Sequence, residues 1–82
     1  MELESDMEKQ RSVLLQEIDV NLQEQLLLKK RICLMQECMN ELPNYDPTYF
    51  SLDKQVLIDR LHLDELLRLE EDLISRLRCL GP

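Results

Sequence analysis

Apolar residues recur at heptad spacing in two separate stretches of the chain. In the first stretch, the two core positions of the heptad hold Leu14, Asn21, Leu28, Met35 and Leu42, and Arg11, Ile18, Gln25, Ile32 and Met39. In the second stretch, they hold Leu52, Asp59, Leu66, Leu73 and Leu80, and Val56, Leu63, Glu70 and Leu77. Such a repeat is typical of α-helices that pack along one seam. No strand-like alternation accompanies it, so we expect an all-α fold with two long helices.

A proline marks the end of the first helix. Pro43 lacks an amide hydrogen and disfavours helical geometry in the residue before it. We therefore expect helix over residues 2–42 and a connection over residues 43–51, which holds all three aromatic residues of the chain. Folding the chain back at this connection gives an antiparallel, coiled-coil-like hairpin, with residues 1–82 as a single helical domain.

The second helix is expected over residues 52–80. Ser51 is the predicted N-cap, because a serine hydroxyl can accept a hydrogen bond from an amide of the first turn. Asp46 and Pro47 could cap a single turn within the connection. At the other end, Gly81 supplies a C-terminal stop.

The hairpin has a predicted register, in which the numbers of facing residues add up to about 94 or 95. Gln25 then faces Glu70, and a polar residue that meets a polar residue fixes the register of a coiled coil. Two layers fit less well, since Asn21 would face Leu73 and Asp59 would face a methionine; we expect both polar residues to need water or partners from outside the pair. The predicted intrachain seam comprises Leu14, Ile18, Gln25, Leu28, Ile32, Met39, Leu42, Leu52, Val56, Leu63, Leu66, Glu70, Leu77 and Leu80.

Further apolar residues lie outside this seam. One row on the first helix repeats every seven residues and lies about 130° around the helix from the seam. One neighbouring helix cannot cover several apolar faces, so we expect hairpins to associate into a bundle of four or more helices. The candidate partner interface comprises Val13, Val20, Leu27, Leu34, Leu57, Ile58, Leu61, Leu67 and Ile74.

Charge and composition narrow the classes of partner. The formal net charge is −7, and Lys29-Lys30-Arg31 is the only basic run, so we expect no binding to a phosphate backbone. The N-terminal residues are acidic rather than apolar, and no apolar run is long enough to span a membrane. Three cysteines are an odd number, which favours reduced thiols and an intracellular location, in the cytoplasm or the nucleus.

The sequence offers little chemistry. His62 is the only histidine, and no nucleophile with a base, Gly-rich loop or metal-ligand spacing accompanies it. Cys33 and Cys38 match no zinc spacing, and we expect the cysteines to be structural thiols that behave as small apolar residues. We therefore expect no enzyme activity and no catalytic residue, cofactor, metal or small-molecule substrate.

The aromatic residues of the connection have two interpretations. Tyr49 and Phe50 could pack over Leu57, Ile58 and Leu61 to close the end of the bundle, which is the interpretation that we favour. Alternatively, the connection displays its aromatic side chains to a partner.

Two functions remain after these exclusions. The first is a protein-interaction module that self-associates, most simply as a homodimeric four-helix bundle, and acts as a scaffold or adaptor for partner proteins. The second is an obligate helical subunit of a larger hetero-oligomeric complex, in which different chains cover the extra apolar faces. The sequence leaves open whether a dimer would be parallel or antiparallel.

Overall fold

The computed structural model describes residues 2–80, with side chains from residue 6 onwards, and shows a two-helix hairpin. Helix α1 spans Glu2–Glu41 and helix α2 spans Pro47–Cys79. The two helices pack antiparallel into a rod of 65 × 15 × 15 Å with a radius of gyration of 18.6 Å. Within the described residues the chain contains no strand. The predicted all-helical hairpin is confirmed, whereas the association of hairpins into a larger bundle stays a prediction.

The connection between the helices is shorter than predicted. After α1 ends, the amide of Leu42 donates to the carbonyl of Met39 at 3.1 Å, which tightens the last turn. The amide of Asp46 then donates to the carbonyl of Pro43 at 3.0 Å, so that four residues form a closed turn. The chain thus reverses over residues 42–46 rather than over residues 43–51.

Helix α2 begins at Pro47, and the predicted cap at Ser51 is wrong. Asp46 has extended backbone angles (φ −72°, ψ 132°) and is the N-cap, since its carboxylate accepts a hydrogen bond from the amide of Thr48 at 2.8 Å. Proline suits the first helical position because its fixed φ is already helical and no amide hydrogen is left without a partner. Of the two candidate caps, only Asp46 is followed by a proline. Ser51 lies inside the helix.

The C-terminal end of α2 agrees with the expected position. The amide of Leu80 donates to the carbonyls of Arg76 and Leu77, at 3.2 and 3.3 Å. Arg76 and Arg78 lie in the last turn, where positive charge is favourable beside the exposed carbonyls. The predicted stop at Gly81 lies outside the described residues.

The core of the hairpin is a single thin seam. Its buried apolar residues are Leu28 and Ile32 from α1 and Val56, Leu66 and Leu73 from α2. Every residue of the predicted seam is buried or half-buried. Leu73, which the sequence assigned to a poorly matched layer, is the least exposed of the core residues at 2%.

Candidate interaction surfaces

A polar layer crosses the middle of the seam. The side-chain amide of Gln25, which is 4% exposed, donates from Nε2 to Oε2 of Glu70 at 3.3 Å. The same nitrogen also contacts Oδ1 of Asn21, one turn earlier on α1. The structure thus places Gln25 and Glu70 together, as the register predicts.

Asn21 is satisfied inside the hairpin, and the expectation that it needs an outside partner or water is wrong. Its side chain is only 3% exposed, and its Nδ2 donates to the backbone carbonyl of Leu66 at 2.9 Å. Its Oδ1 accepts from Gln25. A heptad pattern pairs side chains with side chains, so it does not anticipate a backbone carbonyl as the acceptor.

Asp59 also finds its partners within the chain, so the expectation that it needs water or an outside partner is wrong as well. The carboxylate is buried, and Oδ1 accepts from Nη2 of Arg31 at 3.2 Å and from Nε2 of Gln55 at 2.9 Å. Its Oδ2 lies 3.0 Å from Nε of Arg31, without the alignment of a hydrogen bond. A buried carboxylate is costly unless it is paired and hydrogen-bonded. Arg31 can serve because its long side chain reaches the seam from the exposed surface.

The apolar row on α1 that lies outside the seam is uncovered in the single chain. We call it the second row; its members are Val13, Val20, Leu27 and Leu34, which are 52–65% exposed. The other candidate partner residues lie on α2. Leu57, Ile58, Leu61 and Leu67 are exposed, and Ile74 is half-buried. The four exposed residues are available to other helices, whereas Ile74 is already partly covered within the hairpin.

Part of the second row forms one wall of an open groove between the two helices, which we call the acidic groove. Its apolar lining consists of Val13 and Val20 from α1 and of Leu66, Leu69 and Leu73 from α2. The polar lining comes from α1 and contains Gln16, Glu17, Asp19, Asn21 and Glu24. Three carboxylates and no basic side chain therefore line this groove. A second, smaller groove continues from Val13 and Glu17 towards Lys9 and Arg76 at the open end of the hairpin.

The three cysteines are exposed in the single chain, so none of them is a buried thiol of the hairpin core; their role as structural thiols stays a prediction. Cys33, Cys38 and Cys79 are all free thiols on the surface of the hairpin. Cys33 lies seven residues after Leu26, which is also exposed, so it belongs to an apolar stripe of α1 rather than to the seam. The apolar character of these positions was visible in the sequence, but the absence of a neighbour that covers them was not.

The aromatic residues do not cover the leucines at the closed end of the hairpin, contrary to the favoured interpretation. Tyr49 and Phe50 contact each other edge to face, with 6.1 Å between ring centroids. Phe50 is 61% exposed and Leu57 is 60% exposed. Because α2 begins at Pro47, Phe50 lies two helical turns before Leu57 on the same face. Phe50 thus enlarges the exposed apolar surface, and Tyr45 in the connection is exposed as well.

His62 is exposed on α2, and no three His, Cys, Asp or Glu side chains among the described residues come together as a metal site. Neither helix, over the described residues, contains an apolar stretch that could cross a membrane. Comparisons with protein-family models, with curated proteins and with solved structures gave no match to this chain.

Proposed function

We propose that this chain is a non-enzymatic protein-interaction module. In this proposal the hairpin self-associates, most simply into a homodimeric four-helix bundle, and the dimer scaffolds partner proteins. The observation that supports it is the second row, because four large apolar side chains at seven-residue spacing are more than half exposed on one face of α1. A helix face with this pattern is typical of a coiled-coil contact.

Energetics favour association over an isolated hairpin. Each fully covered Val or Leu side chain stabilises a fold by about 1.5–3 kcal/mol. Among the residues that the structure describes, the seam of one hairpin has only five buried apolar residues, whereas ordering each residue of the chain costs about 1–2 kcal/mol in backbone entropy. A second layer of helices over the second row adds apolar burial without lengthening the chain. Small domains with so thin a core commonly oligomerise.

Sedimentation equilibrium tests self-association. We expect a species of about 20 kDa, twice the 9.8 kDa mass of the chain, with strongly helical circular dichroism at the same concentration. A folded, helical monomer that persists at concentrations of about 100 µM would contradict the proposal, since that range corresponds to an association free energy weaker than about −5.5 kcal/mol.

A second candidate function is that of an obligate helical subunit in a hetero-oligomeric complex. The observation that favours it is the exposed apolar face formed by Phe50, Leu57 and Leu61 on α2, which lies on the opposite side of the helix from the seam. One dimer contact through α1 leaves that face uncovered. Under this alternative the purified chain aggregates or is poorly helical, and a monodisperse helical homodimer in light scattering counts against it.

The proposal includes a location and excludes several ligand classes. We place the protein in the cytoplasm or the nucleus, because three exposed thiols per chain persist in the reduced state in those compartments. The net charge of −7 argues against nucleic acid as a partner. Other helical proteins and a second copy of the chain are the proposed partners, without a cofactor, a metal, a membrane span or a small-molecule substrate.

A further inference from the structure

We infer that a second copy of this chain occupies the second row, with the two α1 helices antiparallel. Val13 of one chain then lies opposite the partner's Leu34, and Val20 lies opposite the partner's Leu27. This inference rests on the proposed self-association and specifies its interface and its orientation.

The positions of the second row are suited to a two-fold axis. Val13, Val20, Leu27 and Leu34 are symmetric about the peptide between residues 23 and 24, which is close to the middle of α1 (Glu2–Glu41). An antiparallel pair centred there overlaps along almost the whole of both helices. A two-fold contact of this kind is closed and self-complementary, so it gives a dimer and not a filament.

Charge distribution along α1 selects the antiparallel orientation. The acidic groove contains Glu17, Asp19 and Glu24, and the only basic run of the chain, residues 29–31, follows on the same helix. Antiparallel pairing brings the basic run of one chain over the acidic groove of the other. In a parallel pair, the acidic segment would instead lie at the level of the partner's acidic segment, and the basic run at the level of the partner's basic run, which is electrostatically less favourable.

Individual charge pairs follow from this register. On one edge of the contact, the partner's Arg31 lies opposite Glu17. Arg31 is available because its side chain is 57% exposed, although it also contacts Asp59. On the other edge, the partner's Glu37 lies opposite Lys9, and the partner's Lys30 lies close to Asp19. These matches favour a second copy over an unrelated basic helix, because acids and bases are already at complementary positions in one sequence.

Two kinds of acid pair in this register are unfavourable: Asp6 meets the partner's Glu41 at each end of the row, and a second pair of acids lies at the axis. Glu24 lies next to the axis and therefore meets the partner's Glu24. Its replacement by glutamine keeps the size of the side chain and removes the repulsion between the two carboxylates. We expect Glu24→Gln to lower the dimer dissociation constant about twofold to fivefold, in the range of a single surface charge pair.

Chemical crosslinking tests the orientation. In a chain whose three cysteines are replaced by serine, a single cysteine is introduced by Glu24→Cys or by Val13→Cys, and each purified protein is treated with a short bismaleimide. We expect Glu24→Cys to give a crosslinked dimer, because the two copies are neighbours at the axis. Val13→Cys should not crosslink to itself, since the two copies are separated by 21 residues of helix, about 31 Å at 1.5 Å per residue.

Mixing two single-cysteine variants tests the antiparallel contact directly. When Val13→Cys chains are mixed with Leu34→Cys chains, we expect a crosslinked heterodimer, which a size tag on one chain identifies. Val13→Cys that crosslinks efficiently to itself would show a parallel pair and overturn the inference. A wild-type chain that sediments as a monomer would instead overturn the proposed function, and the two failures are therefore distinguishable.

Charge reversal tests the register without cysteine chemistry. Lys9→Glu and Glu37→Lys each place like charges across the antiparallel contact, and we expect each to raise the dimer dissociation constant about fivefold to tenfold. The double variant restores opposite charges and should return the constant to within about threefold of the wild-type value. A double variant as weak as the product of the two single effects would contradict the pairing.

Discussion

At the residue scale, the two polar residues that do not fit the heptad layers, Asn21 and Asp59, find their hydrogen-bond partners within the hairpin. The heptad pattern identified the contact between Gln25 and Glu70, because both residues fall at core positions of matching layers. It misread Asn21 and Asp59, since their partners are a backbone carbonyl and an arginine from outside the core positions. A pattern of residue types contains neither the carbonyl positions of a facing helix nor the reach of a long side chain.

The ion pair of Arg31 with Asp59 makes a prediction about stability. Arg31→Ala leaves a carboxylate that is 5% exposed in its side chain without a cation, and we expect a loss of about 1–3 kcal/mol in the free energy of unfolding. The loss stays below that for a fully buried pair because solvent reaches the arginine. Urea denaturation at a fixed chain concentration measures it.

Arg60→Ala is the matched control for this variant, since it removes an exposed arginine that has no buried partner among the described contacts and lies outside the proposed dimer contact. We expect it to change the free energy of unfolding by less than about 0.5 kcal/mol. Equal losses in the two variants would show that the contact of Arg31 with Asp59 contributes no specific stability.

At the element scale, the two helices follow from the sequence while one boundary does not. Heptad spacing and Pro43 predict a hairpin and the end of α1 to within one residue. The start of α2 is five residues earlier than predicted, because Asp46 and Ser51 are both acceptable N-caps by residue type. The proline after Asp46 decides between them, as it is already in helical geometry and has no amide hydrogen to satisfy.

The cap of α2 yields a paired test. We expect Asp46→Ala to destabilise the protein by about 1 kcal/mol, because it removes the hydrogen bond to the amide of Thr48. Ser51→Ala should be neutral or slightly stabilising, since alanine is the better helix former at an interior position. Thermal unfolding followed by circular dichroism compares the two variants. A larger loss of stability in Ser51→Ala than in Asp46→Ala would show that Ser51, and not Asp46, caps α2.

At the scale of the whole molecule, the hairpin is a rod with a thin core and several uncovered apolar faces. The sequence predicts both the seam and the surplus of apolar residues, since each follows from spacing alone. It does not predict which surplus residues stay exposed, because that depends on neighbours. The exposed cysteines and Phe50 are two such cases. The acidic groove is a further feature of the folded pair, since it needs α1 and α2 side by side.

The same uncovered faces provide a matched pair of variants on one helix. Leu27 belongs to the second row, whereas Leu26 lies about 100° around the helix; both are leucines and both are more than half exposed. An aspartate at either position adds the same charge to the same helix. Only the aspartate at position 27 would be buried by the antiparallel dimer, and an unpaired buried charge is strongly unfavourable.

Sedimentation equilibrium of the wild type, Leu27→Asp and Leu26→Asp therefore measures whether the second row is the dimer interface. We expect the wild type and Leu26→Asp to sediment at about 20 kDa, twice the 9.8 kDa chain mass, and Leu27→Asp to weaken the dimer at least about 100-fold, or roughly 2.7 kcal/mol. If Leu27→Asp remains a dimer as stable as the wild type, the second row is not the dimer interface, whatever the result for Leu26→Asp.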